Sequence, residues 1–136
     1  MIQFELVSPE KKLFSAEVTM VTLPGTEGDF GVLEGHAPLI SSLRVGIIDV
    51  YEKGMTSVSN RILVSGGLVE VRPNQCTALA EDAVPLEDVS RESVENEIRK
   101  VREIISVAQE SEKEGLEAKL TLLGKKLDIV THATAH

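Results

Sequence analysis

The glycine-rich segment 25–31, Gly-Thr-Glu-Gly-Asp-Phe-Gly, is the stretch whose residue types come closest to a phosphate-binding loop. A loop of that kind ends in Gly-Lys-Ser/Thr, which holds the phosphates and a magnesium ion. This segment lacks that ending, and its two carboxylates, Glu27 and Asp29, would repel a phosphate. Because glycine takes positive φ at little cost, we interpret the segment as a tight hairpin carrying two solvated acids.

Residues that could bind a metal or act as a nucleophile are too few for either chemistry. His36 is the only histidine outside the C-terminal tail, where His132 and His136 lie, and Cys76 is the only cysteine. A zinc site needs three or four convergent ligands, and a nucleophile needs a base beside it and a third group that orients the base. We therefore expect no catalytic residues, no metal and no cofactor. Cys76 lies in an apolar strand pattern and is predicted to be a small core residue.

The segment from Gly28 to Leu39 is the most unusual part of the sequence. It is rich in turn residues, has a proline after Ala37, and is predicted to form a loop with His36 at its tip. Loops held by a rigid sheet are common recognition elements. The sequence therefore indicates a protein that binds through this loop.

The bulk composition excludes several classes of partner. The chain has 136 residues and a formal net charge of −8, which disfavours binding to nucleic acid or to an anionic membrane surface. One cysteine cannot form an intramolecular disulfide, and this favours a reducing compartment. No apolar run approaches the ~18 residues of a membrane span, so any link to a membrane should pass through a partner.

The first part of the chain, residues 1–84, has the pattern of a β-sandwich. Short segments alternate polar with apolar residues, and turn residues such as Pro24-Gly25, Lys53-Gly54 and Gly66-Gly67 separate them. The predicted strands are 3–6, 17–21, 46–51, 61–64, 68–71 and 76–80. Many short strands without intervening helices predict an antiparallel β-sandwich or barrel.

The second part, residues 85–136, has the pattern of an antiparallel two-helix hairpin. Two sets of apolar residues repeat at the +4, +3 spacing of one helix face. They are Val94, Ile98, Val101, Ile105 and Ala108, followed by Leu116, Leu120, Leu123, Leu127 and Val130. Between the two sets, Ser111-Glu-Lys-Glu114 fits a capping box that would start the second helix.

Four apolar residues lie off the seam between the two predicted helices, namely Ile104, Val107, Leu122 and Ile129. They are either scattered surface residues or a second packing surface of the hairpin. That surface would contact the sandwich or another subunit.

Two motifs make the chain similar to a known family. They are Phe30-Gly-Val-Leu-Glu-Gly-His-Ala-Pro-Leu39, with Pro24-Gly25 and Gly28 before it and Gly46 after it, and Leu63-Val-Ser-Gly-Gly-Leu-Val-Glu-Val-Arg72, followed by Cys76-Thr-Ala-Leu-Ala-Glu81. With its sandwich and helical hairpin, the whole chain resembles the epsilon subunit of the F-type ATP synthase. The resemblance implies a non-catalytic rotor subunit that couples proton translocation to ATP synthesis. Its helices would restrain ATP hydrolysis.

The resemblance also implies partners and contact residues. The sandwich, 1–84, would bind the gamma subunit and the c-ring, and the hairpin, 85–136, would reach the catalytic head of alpha and beta subunits. The implied c-ring contacts are Glu27, Asp29, Gly35 and His36, and the implied gamma contacts are Leu39, Ser41, Leu43 and Gly46. The complex would hold the chain at the cytoplasmic face of a bacterial inner membrane.

The sequence departs from the family at a pattern with which some epsilon subunits bind ATP, hydrophobic-Asp-x-x-Arg-Ala. Asp88 and Arg91 provide Asp-x-x-Arg, but Glu87 replaces the hydrophobic residue and Glu92 the alanine. We therefore expect weak ATP binding or none. The alternative function is a free-standing β-sandwich that binds a partner through the loop 25–39.

Overall fold

A computed structural model describes residues 1–134 and shows eight strands followed by two helices. The strands are β1 (Ile2–Val7), β2 (Lys12–Val18), β3 (Met20–Gly25), β4 (Gly28–Leu33), β5 (Leu39–Tyr51), β6 (Asn60–Arg72), β7 (Gln75–Ala80) and β8 (Ala83–Pro85). A single 3-10 turn, Leu86–Asp88, precedes α1 (Arg91–Val107) and α2 (Glu110–Thr134). The predicted class, strands first and a helical pair second, is confirmed.

The strands form one sheet that folds over on itself. Their order is β2-β1-β7-β6-β5-β3-β4, and β8 pairs with β6. β1 and β4 lie near opposite ends of this order, yet their buried residues belong to one apolar core, as expected for a sandwich. All pairs are antiparallel except β1 with β7, which run parallel. The first layer contains β2, β1, β7, the start of β5 and the end of β6. The second layer contains β3, β4, β8 and the rest of β5 and β6.

β6 passes from one layer to the other without ending. The sequence predicted a turn at Gly66-Gly67 between two strands, and this prediction is wrong because β6 is continuous from Asn60 to Arg72. Both glycines take positive φ, 100° and 136°. This conformation bends the strand while its pairing with β5 keeps the same register from Val45–Ser65 to Leu43–Gly67.

The core of the sandwich is built from the inward residues of the alternating strands. Ile2, Phe4 and Leu6 of β1 are buried, and the rings of Phe4 and Phe14 lie 5.9 Å apart. Cys76 is fully buried among them, as predicted. Burial raises the pKa of the Cys76 thiol to about 12, so the thiol is protonated and unreactive at neutral pH.

The two helices pack along the predicted seam. Val94, Val101 and Leu123 are buried, and Ile98, Ile105, Leu116, Leu120 and Leu127 pack around them. Ser90 caps α1, because its side chain accepts a hydrogen bond of 3.0 Å from the amide of Ser93. Two details of the prediction are wrong. Ala108 lies beyond the end of α1, and α2 begins at Glu110, so Ser111 is inside its first turn and forms no capping box.

The start of α2 is instead held by a backbone carbonyl. The amides of Glu112 and Lys113 both donate to the carbonyl of Gln109, at 2.9 and 3.2 Å. Gln109 therefore occupies the capping position that the sequence assigned to Ser111. Ser111 cannot act as the N-cap, because α2 begins one residue before it, at Glu110.

The chain divides into two compact units, Met1–Leu86 and Glu87–His136. This division falls two residues after the boundary predicted from composition. Among residues 1–134, no helix is long and apolar enough to span a membrane. His136 lies outside the described residues.

Candidate partner-binding surfaces

The predicted loop 28–39 is for the most part a strand. Residues Gly28–Leu33 form β4, which pairs with β3 from Gly25–Gly28 to Met20–Leu33. Thr26 and Glu27 are the two residues between the strands, and Gly28 takes a φ of 137°. The prediction of a tight hairpin at 25–31 is therefore confirmed, whereas the prediction of a loop through 28–33 is wrong. We call residues 25–29 the β3–β4 turn.

The β3–β4 turn is fastened to β5 by Arg44. One guanidinium nitrogen of Arg44 donates to the carbonyl oxygen of Gly25, and the other forms an ion pair with the carboxylate of Asp29. The amide of Thr26 donates to the carbonyl of Ser42 at 3.1 Å. Glu27 is exposed and has no ionic or hydrogen-bonded partner among residues 1–134. The two acids of this turn thus differ in their surroundings.

Gly35 and His36 lie at the other end of β4. The amide of Gly35 donates to the carbonyl of Pro73 at 2.7 Å, and His36 contacts its own neighbour, with Nδ1 2.7 Å from the carbonyl oxygen of Ala37. β4 is six residues long and lies between Glu27 and Gly35, and it spans ~20 Å at ~3.3 Å per residue. The structure therefore does not bring Gly35 and His36 together with Glu27 and Asp29. His36 is half-buried and lies in the middle of the loop 34–38 between β4 and β5.

The predicted gamma contacts on β5 lie mostly on its inner side. Leu43 is only 4% exposed and belongs to the sandwich core. Gly46 is buried, and a Cβ atom there would lie 2.5 Å from Cβ of Pro24. Neither residue therefore offers an exposed side chain to a partner. Leu39 and Ser41 remain partly accessible.

The outer face of the first layer carries exposed apolar side chains. Ile40, Leu68 and Leu79 are 66%, 45% and 45% exposed. Leu68 and Leu79 face each other directly across β6 and β7, and Ile40 pairs with Glu70, which places it diagonally beside Leu68. We call these three residues the outer-face patch. We treat this exposed apolar area as a candidate protein-binding surface.

Polar side chains border the outer-face patch. An open groove there is lined by Leu68, Glu70, Arg72, Gln75, Thr77 and Leu79. Arg72 and Glu70 form an ion pair, with Nε and Oε1 2.6 Å apart. An apolar centre with a polar border is the usual composition of a protein–protein interface.

Sequence reasoning did not select the outer-face patch, although a signal was present. In β7 and β6, Leu79 and Leu68 occupy the alternating positions that otherwise carry Thr77, Glu70 and Arg72. An apolar residue in the polar phase of a strand lies on the face of the sheet away from the core. That Leu68 and Leu79 lie side by side can be recognised only when the pairing of β6 with β7 is known.

Asp49 is a half-buried carboxylate that the sequence also did not single out. The pKa of Asp49 is raised above its usual value, chiefly because the carboxylate is partly buried. Arg61 on the paired strand opposes this rise, and the negative charge of Asp29 adds to it. Oδ1 of Asp49 lies 3.5 Å from Nε of Arg61. Among residues 1–134 no group of metal-binding side chains is assembled around it or elsewhere, and we interpret Asp49 and Arg61 as a cross-strand ion pair.

Two apolar residues of α1 that lie off the helix seam are strongly exposed. Ile104 is 50% and Val107 84% exposed, whereas Leu122 and Ile129 of α2 are half-buried. Ile104 and Val107 both fall in the last turn of α1, where the hairpin reverses direction. That end of the hairpin is therefore the part that offers apolar side chains to a partner.

Asp88 and Arg91, the doubtful nucleotide ligands, lie before and at the start of α1. Arg91 is already paired, with its Nε donating to Glu95 at 2.9 Å, and Arg99 donates to Asn96 at 2.8 Å. These contacts leave fewer free donors for a triphosphate.

We accordingly expect no saturable heat when the isolated protein is titrated with ATP to ~1 mM in a calorimeter. A dissociation constant above ~1 mM corresponds to a binding free energy weaker than ~4 kcal/mol. The variant Arg91→Gln should give the same trace as the unaltered protein. A saturable curve in the micromolar range, lost in Arg91→Gln, would contradict this expectation and restore Asp88 and Arg91 as ligands.

Comparisons with known proteins match both parts of the chain. Residues 1–86 match the family model for the ATP synthase, Delta/Epsilon chain, beta-sandwich domain. The ATP synthase epsilon chain of Rhodospirillum centenum is 47% identical over 133 residues, which cover 95% of this chain and 91% of that protein. The epsilon chain of Paramagnetospirillum magneticum is 40% identical over 126 residues, 93% of each chain.

A solved structure has the same fold. A chain in the cryo-EM structure of the Euglena gracilis mitochondrial ATP synthase superposes with a TM-score of 0.74. The match covers 99% of this chain and 81% of that one at 24% sequence identity. At this identity the likeness supports the arrangement of the strands and helices and no finer detail.

Proposed function

The chain belongs to the ATP synthase epsilon-chain family, and from this premise we propose that it is a non-catalytic subunit of the central stalk that couples proton translocation to ATP synthesis. The observation that carries the proposal is the 47% identity along 95% of the chain, which includes the helices. A free-standing binding sandwich, the alternative function, would need no helical hairpin of matching sequence. The chain would act through its surfaces, as part of a complex at the cytoplasmic face of a bacterial inner membrane.

We assign the gamma contact to the outer-face patch. Ile40, Leu68 and Leu79 provide an apolar centre, and Glu70 with Arg72 provides part of a polar border. A subunit that turns together with gamma needs a lasting interface, and lasting interfaces have more apolar centres than transient ones.

The β3–β4 turn would contact the c-ring. Its exposed acid, Glu27, suits the polar loops of c subunits, and its two ordered strands allow it to bear force. Gly35 and His36 lie beyond the far end of β4, ~20 Å along the strand from Glu27, so a single short loop cannot reach both Glu27 and His36. We therefore assign the c-ring contact to the turn and not to His36.

The helical hairpin would restrain ATP hydrolysis by contacting the catalytic head. It forms a compact unit with its own apolar seam, and Ile104 and Val107 are exposed at its turn. A unit with its own core can change its contacts without unfolding the sandwich.

Removal of the hairpin tests this division of roles. A chain ending at residue 86 retains the whole sandwich core and should still co-purify with gamma, since the outer-face patch is intact. The rate of ATP hydrolysis by the assembled enzyme should rise several-fold, because the restraint is lost. Loss of assembly, or an unchanged hydrolysis rate, would contradict the proposed division.

The direct test of the proposed function is reconstitution. Purified catalytic head with gamma is assayed for ATP hydrolysis with and without the full chain, and membranes lacking the epsilon subunit are assayed for proton pumping. We expect the chain to lower hydrolysis by the isolated head and to restore pumping in the membranes. A chain that neither binds gamma nor changes either rate would overturn the proposal.

A further inference from the structure

The ladder between β3 and β5 is interrupted beside the β3–β4 turn. Thr22 pairs with Asp49, but Gly25, three residues on, pairs with Leu43, six residues back along β5. Pro24 lies in the gap and has no amide hydrogen to donate. Gly46 packs against its ring, where a Cβ atom would come within 2.5 Å. The turn is therefore attached to β5 by fewer backbone hydrogen bonds than a regular strand pair would supply.

Arg44 supplies the missing attachment with its side chain. It donates to the carbonyl of Gly25 on one side of the turn and binds the carboxylate of Asp29 on the other. An arginine can hold both groups because its guanidinium presents several donors in a fixed plane, whereas a lysine ammonium is a single point of charge. Arg44 is anchored in β5 between Leu43, which is in the core, and Val45, which is half-buried.

The contact of Arg44 with Asp29 gives the two acids of the turn, Glu27 and Asp29, different surroundings. Asp29 is neutralised by Arg44, while Glu27, at the tip, has no ionic partner within residues 1–134. The turn thus displays one carboxylate without an ionic partner, on a backbone that Arg44 and the Thr26 hydrogen bond hold in place.

We propose that Arg44 is a positioning residue that holds the β3–β4 turn through Gly25 and Asp29, so that Glu27 alone presents its carboxylate to a cationic side chain of the partner. This inference rests on the proposed function, in which the turn contacts c subunits, and it assigns that contact a chemistry: a carboxylate on this chain and a lysine or arginine on the polar loop of the ring. Asp29, which the sequence placed in the contact itself, acts instead on Arg44.

The first experiment measures the turn in the isolated full-length chain. Hydrogen exchange by NMR at the amide of Thr26, which donates to Ser42, reports whether the turn is held. Arg44→Gln and Asp29→Asn should speed this exchange about tenfold, and Arg44→Lys should speed it less, since a lysine retains one of the two contacts. Glu27→Gln should leave it unchanged. The control Lys12→Gln, which removes an exposed ion pair with Glu5 on the first layer, should also leave it unchanged.

The second experiment measures coupling in membranes that contain the assembled enzyme. Protons pumped per ATP hydrolysed should fall at least twofold in Glu27→Gln and in Arg44→Gln, while co-purification with gamma stays normal. Arg44→Lys should recover part of the loss, and Lys12→Gln should match the unaltered chain. A merely destabilised protein would lower the amount of assembled enzyme and not its coupling ratio.

Three results would overturn the inference. These are unchanged Thr26 exchange in Arg44→Gln, normal coupling in Glu27→Gln, and lost coupling in Asp29→Asn without faster exchange, which would make Asp29 the contact itself. Failure of the unaltered chain to restore pumping would instead overturn the proposed function. The exchange measurement on the isolated chain would still test the role of Arg44 in that case.

Discussion

A chain carrying Leu68→Glu together with Leu79→Lys should lose its affinity for gamma by about a hundredfold or more. The two side chains are the centre of the outer-face patch and face each other across β6 and β7. In the complex they would be removed from water, and burying two charged groups in place of two leucines costs ~3 kcal/mol or more. Binding is measured by co-purification and by titration of purified gamma complex with the labelled chain.

The two substitutions carry opposite charges so that unfolding of the sandwich cannot explain a loss of gamma binding. A glutamate and a lysine directly opposite each other on paired strands attract, and the net charge of the chain stays at −8. The unfolding midpoint in urea should therefore remain close to that of the unaltered protein. Met55→Glu is the control, because Met55 is similarly exposed at 54% but lies in the loop between β5 and β6. Normal gamma binding by the double variant would place the interface on another surface.

Gly67→Ala should destabilise the sandwich by ~4 kcal/mol or more. Gly67 takes a φ of 136°, which residues with a side chain rarely adopt, and a Cβ atom there would lie 2.1 Å from the carbonyl oxygen of Leu79. The obstacle is backbone of the neighbouring strand, so it cannot move aside without breaking the pairing of β6 with β7. The free energy of unfolding is measured by urea titration.

Gly28→Ala separates the two causes of that loss. Gly28 takes nearly the same φ, 137°, but nothing lies within 4 Å of the position of its Cβ. This variant should lose only the ~1–3 kcal/mol that an unfavourable backbone conformation costs. Equal losses in the two variants would show that backbone conformation alone requires Gly67, and that the collision with Leu79 does not.

Local patterns in the sequence were sufficient for the fold class and for much of both cores. Alternation of apolar and polar residues predicted strands around Phe4, Ile48 and Cys76, and all three side chains are buried. The +4, +3 spacing predicted the seam of Val94, Val101 and Leu123. These features are readable because the period of a strand or helix is a property of neighbouring residues, and burial of the matching face provides most of the stability.

The resemblance in the motifs at 30–39 and 63–72 identified the family, but it did not place the surfaces. Leu43 was expected at a subunit contact and lies in the core, whereas Leu68 and Leu79 were passed over and are exposed. A motif shows which residues belong together in a family and not which side of a strand each one occupies.

Contacts between residues far apart in the chain were decided only by the tertiary structure. The parallel pairing of β1 with β7 joins residues about seventy positions apart, and the bend at Gly67 depends on the approach of the Leu79 carbonyl. Arg44 pairs with Asp29 because β5 lies beside the β3–β4 turn, and this pairing leaves Glu27 as the free acid. The same packing puts His36 at the opposite end of β4 from Glu27, although nine positions separate them in sequence. An extended strand carries its two ends ~20 Å apart, so proximity along the chain says little about proximity in a sheet.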